Sequence, residues 1–257
     1  YKINPNIQFY ARGQMWKINQ PSNPFAEVDL IPGVRFTYGD FAVDFGAQYY
    51  LYPGNKDRYW TDSATFTFQN PSFAALPFGA RCPFVGGFCA TTPKDPSYWE
   101  LFVKPSYNIT PELNVGATVY YAPNWLNYKT KALYTSLTAK YTFGETGFAI
   151  SGEWGYMNLH SLKAGTDFNP FFATPVKLPK YTTWNVGASY TWNQFTLDLR
   201  YHGSTLNKNG CYMASADPSG NAPGQIPSLR SNWCGHRFAA SLNIDLVGSK
   251  DVGFLPK

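Results

Sequence analysis

The sequence predicts an all-β chain folded as a transmembrane, antiparallel up-and-down β-barrel, and three observations point there. The first is composition. Of 257 residues, 18 % are aromatic and only 14 % charged, whereas an ordinary soluble domain is about one-quarter charged. Mean hydropathy is nevertheless −0.31, and no apolar run approaches the roughly 18 residues of a helical span. A lipid-facing surface diluted by a polar lumen gives this combination. The second is strict alternation of apolar with charged or small residues over runs of ten or more, the period of a strand with two unlike faces. The third is a sorting of loop lengths, short and long in turn, which gives a sheet one trimmed and one elaborated end.

The elements follow in chain order. Asn6–Ile18 sets Ile7, Phe9, Ala11, Gly13 and Met15 against Gln8, Tyr10, Arg12 and Gln14. After a Pro/Asn/Ser loop, Phe25–Pro53 forms two strands around Tyr38-Gly39-Asp40, with Val28, Leu30, Val34 and Phe36, then Phe41, Val43, Phe45 and Tyr49, on the apolar face. A long stretch, 54–96, is rich in Pro, Phe and Thr. Ser97–Ile109 then turns Trp99, Leu101, Val103 and Tyr107 outward, and Thr110-Pro111-Glu112 leads into Leu113–Ala122. Beyond the loop 123–131, Ala132–Phe143 and Phe148–Asn158 flank a tight connection. The loop 159–180 precedes the hairpin Tyr181–Trp192 and Phe195–Leu206, turned at Asn193-Gln194. A last loop, 207–232, leads to Arg237–Val247. That makes about ten strands in one domain over 1–257, with the long outer loops at 54–96, 159–180 and 207–232. No amphipathic helix competes.

Charge and cysteine use narrow the function classes. The net charge of +5 is scattered, with no basic tract, which argues against nucleic acid. The chain begins at Tyr1 without Met or a signal peptide and reads as a processed or trimmed product. Cys82/Cys89 and Cys211/Cys234 lack the CxxC spacing of a zinc site and read as two disulfides of an exported protein. No metal or cofactor is implied.

Parity places Glu27, Asp29, Asp44, Glu100, Glu153, Asp198 and Asp245 on the inner face together with Arg12, Arg35, Lys104, Lys140, Arg200 and Arg237. A strongly selective pore would show one dominant sign. This nearly balanced, interspersed set fits a narrow aqueous channel with opposed walls, or charges that pair and close a modest lumen. Tyr49, Tyr52, Trp60, Trp99, Tyr107, Tyr121, Trp125, Tyr141, Trp184 and Trp192 fall near strand ends, as interfacial girdles do. Tyr10, Tyr50, Tyr98, Tyr120 and Tyr134 point inward by parity and leave an aromatic or sugar-stacking track open. Catalysis finds little support. Asp198 and His202 share a strand face, yet four residues at about 3.3 Å each separate them by about 13 Å, and no GxSxG, HExxH or phosphate-binding loop occurs.

Segments across nearly the whole chain resemble the TorF-family porins of Gram-negative outer membranes: AEVDLIPGVRFTYGDFAVDFGAQYYLYPG, YWELFVKPSY, YYAPNWLN, YTTWNVGASYTW, FTLDLRYHGSTL and LRSNWCGHRFAASLNIDL. EVDL and SNWCG are the more specific parts. The resemblance implies an outer-membrane location and a porin label, and supplies no solute. With the mixed-charge lumen the expectation is a narrow channel for passive diffusion of small polar solutes or ions, in contact with outer-membrane lipid and lipopolysaccharide. Oligomeric state stays open. Members usually begin with a strand reading roughly DYxFRGISQ and a second after it; YKINPN resembles the tail of that second strand, implying twelve strands in the intact barrel. The alternative is a closed, ion-paired barrel acting as a structural or surface-binding protein.

Overall fold

The computed structural model describes residues 2–18, 24–54, 60–62, 67–68, 89–91, 95–163, 175, 177–215 and 230–245. Eleven strands form one sheet in which each is hydrogen-bonded to the next. They are β1 (Lys2–Asn4), β2 (Ile7–Trp16), β3 (Glu27–Tyr38), β4 (Phe41–Leu51), β8 (Tyr98–Asn108), β9 (Leu113–Ala122), β10 (Ala132–Thr142), β11 (Phe148–Leu159), β12 (Lys180–Trp192), β13 (Phe195–Ser204) and β14 (Arg237–Ile244). All ten neighbouring pairs are antiparallel. The ten expected strands are present, and β1 is added to them. Among the described residues β1 and β14 are the two sheet edges and do not pair with each other.

Within the region 54–96, β5 (Trp60–Asp62), β6 (Thr67–Phe68) and β7 (Cys89–Thr91) make a small separate sheet, where the sequence reading expected irregular chain. The last long loop likewise contains a helix, α1 (Lys208–Ser215), which the strand alternation gave no reason to expect.

Strand length and exposure make this a membrane-spanning wall. An 11-residue strand such as β10 covers about 36 Å at 3.3 Å per residue, or about 25 Å when tilted near 45°, the height of a barrel's apolar band. Apart from Trp16 at the end of β2, exposed large apolar side chains lie on one parity of each long strand: Phe9 on β2, Leu30 and Phe36 on β3, Phe41, Phe45 and Tyr49 on β4, Trp99, Leu101 and Tyr107 on β8, Leu137 on β10, Ile150 and Trp154 on β11, Val186 on β12, Leu197 and Leu199 on β13. The opposite parity holds the buried polar residues Asp29, Asp44, Gln48, Glu100 and Ser136. A soluble sandwich would bury the apolar set instead.

All short connections gather at one end, and local chemistry explains them. Gly39 and Asn193 adopt φ of 56° and 51°, a left-handed conformation that glycine and asparagine accept most readily. In the turn after β8, the Thr110 hydroxyl accepts the N–H groups of Glu112 (3.2 Å) and Leu113 (3.1 Å). The long loops occupy the other end, where a disulfide joins Cys211 to Cys234 with Cα atoms 5.6 Å apart. The pairing expected for Cys82 and Cys89 falls on Cys82, outside the described residues.

Candidate functional site

Register turns inner-face parity into two charged clusters. On β2, β3, β4 and β8, Gln8 lies opposite Arg35, Arg35 opposite Asp44, and Asp44 opposite Lys104. Arg35 donates from Nε to Asp44 Oδ1 (3.0 Å) and from Nη2 to Oδ2 (2.7 Å). This two-pronged pairing offsets the burial of Asp44, only 6 % exposed, while half of the Arg35 side chain stays exposed. Among the described residues Lys104 pairs with no carboxylate; its Nζ lies 4.5 Å from the Phe102 ring centroid and 4.7 Å from that of Tyr120. Together Gln8, Tyr10, Arg12, Ile31, Arg35, Asp44 and Lys104 line a recess of about 280 Å³.

Aromatic rings lie flat over inner-face glycines and keep this wall low. A Cβ on Gly33 would meet the Tyr10 ring at 2.5 Å; one on Gly46 would meet both Phe102 and the Pro32 carbonyl; one on Gly155 would meet the Tyr134 phenol. Tyr10 and Tyr134 therefore lie against the wall. Tyr134 donates to Glu153 Oε1 at 2.8 Å.

The second cluster, on β11, β12 and β13, has its cation largely engaged, with four of the five guanidinium donors in use. Arg200 donates to both Asp198 oxygens (3.1 and 2.9 Å), to Asn185 Oδ1 (2.6 Å) and to Ser151 Oγ (2.7 Å). Asn185 in turn donates to Glu153 Oε2 at 3.2 Å. Asp198 is thus held by Arg200, and His202 lies opposite Asn185 and Arg237.

Toward the long loops the inner face turns apolar. Tyr52, Tyr98, Ala122, Ala132 and Leu159 form a buried cluster, with Ile18, Trp125, Leu126, Met157, Leu178 and Tyr181 against it. Tyr52, expected in the interfacial girdle, is 2 % exposed within this cluster, and Trp125 packs there too. Both positions look like girdle sites in sequence, but Tyr52 continues the inward parity of Gln48 and Tyr50, and at Trp125 the chain folds back inward. Loop 123–131 achieves this with Leu126, Asn127 and Lys129 at φ of 46°, 59° and 56°. These are costly for non-glycine residues and are held by Asn124, which bonds Asn127 Oδ1 and the Lys129 N–H at 2.7 Å each. Tyr50 stacks on Tyr98 at 4.7 Å and donates to Glu100 Oε2 at 3.2 Å. Asp29, 3 % exposed, keeps one oxygen without a hydrogen-bond partner among the described residues.

The remaining predicted lining residues stand apart from these clusters. Glu27 sits at the long-loop end of β3 opposite Trp16. Lys140 is exposed, opposite Asn114 and Ser151. Arg237 turns to the preceding loop, donating to the carbonyls of Trp233 (3.3 Å) and Asn232 (2.8 Å), and Asp245 lies just past β14. The sequence reading passed over Phe102 because it is apolar. It is nonetheless 2 % exposed on the inner face, as its parity with Glu100 and Lys104 requires.

No protein-family model matches the chain, and no curated protein matches it. Solved structures similar to it include OmpT, an outer membrane protein of Vibrio cholerae (12 % identity, TM-score 0.41, 79 % of this chain and 51 % of that one). A Pseudomonas aeruginosa FadL homologue matches at 14 % identity and TM-score 0.43, over 93 % of this chain and 63 % of that one. The Pseudomonas putida toluene transporter TodX matches at 12 % identity and TM-score 0.43, over 96 % and 72 %. The chain spans about half the length of the Vibrio protein and under two thirds of the FadL homologue.

Proposed function

We propose that this chain forms the wall of an outer-membrane channel that passes small polar solutes or ions by passive diffusion. One observation carries the reading: the long strands turn exposed apolar side chains to one side and polar, small or charged ones to the other, and the charged inner face of β2, β3, β4 and β8 holds an open polar recess. A lipid-exposed exterior with a wet, charged interior is the physical specification of a pore. The finer assignment, to the TorF-family porins with twelve strands in the intact barrel, rests on the sequence segments quoted above and belongs to the same proposal, as does contact with outer-membrane lipid and lipopolysaccharide.

A second reading has its own observation. The apolar cluster under the long loops narrows the inner face at that end, and the engaged Arg200 network is what a closed, ion-paired barrel would use. Liposome swelling separates the two. Vesicles carrying the full-length protein swell in isosmotic solutions of small neutral solutes if the lumen is open, and more slowly as solute size rises. Vesicles that stay taut with every solute, around demonstrably folded protein, select the closed barrel.

A further inference from the structure

We propose that the recess between β2, β3, β4 and β8 is a binding site for small organic carboxylates, with Arg12 and Lys104 as the groups that hold the anion. The inference rests on the channel reading, whose inner wall supplies the recess. Its lining carries Arg12, Arg35 and Lys104 against a single carboxylate, Asp44, an excess of positive charge. Asp44 is already matched by both prongs of Arg35, so it presents little negative charge to a solute. Arg12 and Lys104 form no ion pair among the described residues. Among the described residues Asp29 and Glu100, the next acids toward the long loops, form no salt bridge with either; Asp29 acts on Arg12, and Glu153 on Lys104, only from beyond that distance.

The two free cations differ usefully. Lys104 sits against two ring faces, which place an ammonium without cancelling its charge. Arg12 is exposed, and its planar fork is suited to a carboxylate. Ile31 and the Tyr10 ring supply the apolar flank, which favours an organic anion over a bare inorganic one. The space of about 280 Å³ exceeds an engineered apolar cavity of about 150 Å³ that takes up benzene, enough for an aromatic monocarboxylate. Arg200 offers the contrast: four of its five N–H donors are used by Asp198, Asn185 and Ser151, so the second cluster has little left for a solute.

The test uses the full-length protein folded in detergent, with benzoate and the uncharged, similarly shaped benzyl alcohol as probes in ligand-observed NMR titrations. Benzoate binds and benzyl alcohol does not. Arg12→Gln, at an exposed side chain whose loss leaves the fold intact, weakens benzoate about tenfold, the scale of one charge-assisted hydrogen bond. Asp44→Asn moves affinity the other way, several-fold tighter, which general damage to the wall would not do. Equal binding of the two probes, or unchanged benzoate affinity in Arg12→Gln, overturns the site. Liposome swelling run in parallel separates the premises: swelling without benzoate binding refutes the site and spares the channel, whereas benzoate binding without swelling refutes the channel and spares the site.

Discussion

Replacing Leu137 by arginine tests the two-faced wall at a single residue step. Leu137 is the sixth of the eleven residues of β10, so it sits near mid-membrane, between Ala117 on β9 and Trp154 on β11. Its side chain is 60 % exposed, and in the folded protein that exposure is to lipid. An arginine at the midplane of a barrel's lipid face costs about 2–4 kcal/mol. The next residue, Thr138, faces the interior opposite Glu153 and Gly116. An arginine there meets water and a carboxylate, and costs under about 1 kcal/mol. Near the short-turn end of the same strand, Tyr141→Arg loses only about 0–1 kcal/mol, because the interface is close. The assay is reversible urea unfolding of protein folded in phospholipid vesicles, followed by tryptophan fluorescence. The expected order of destabilisation is Leu137→Arg well above Thr138→Arg and Tyr141→Arg. If Leu137→Arg costs no more than Thr138→Arg, lipid does not lie on the Leu137 side and the reasoning fails.

Other perturbations probe the inner wall and the loops. Gly46→Ala drives a methyl group into Phe102 and into the immovable Pro32 carbonyl and costs about 1–3 kcal/mol. Gly33→Ala meets only the mobile end of Tyr10 and costs less in the same unfolding assay. A double-mutant cycle of Arg35→Gln and Asp44→Asn yields a coupling of about 1 kcal/mol, below that of a fully buried pair because Arg35 is half exposed; a coupling indistinguishable from zero would show the pair to be incidental. Replacing Cys211 and Cys234, 23 residues apart, with serine removes a constraint worth about 3 kcal/mol in the chain-entropy account. Proteolysis within 208–236 then accelerates while the strands keep their protection, and cleavage that spreads through the strands at the same rate would contradict a role confined to the loop.

Much of the wall was legible because side-chain alternation is local. The exposed series Trp99, Leu101 and Tyr107 and the buried Glu100 on β8 follow from period two alone. The Arg35–Asp44 pairing is also readable, since the tight turn at Gly39-Asp40 sets the β3–β4 register, and Asp198 and Arg200 are two residues apart on one face. What stayed hidden depends on contacts across long loops. The position of Lys104 against Asp44 requires the register of β4 with β8, set across the intervening 54–96 region, so its place beside two rings could not be deduced. The inward fold of Trp125 depends on left-handed residues that no period announces, whereas Tyr52 keeps the inward parity of Gln48 and Tyr50. The balanced inner charges thus look interspersed in sequence, whereas the register leaves Arg12 and Lys104 beside the recess and the acids Asp29 and Glu100 toward the long loops.

Single-channel current across a planar bilayer tests the central claim most directly. With full-length protein inserted, the account predicts discrete steps of uniform size whose conductance rises with salt concentration. A bilayer that stays silent, with protein shown to be folded and inserted, would contradict the channel and leave the closed barrel in its place.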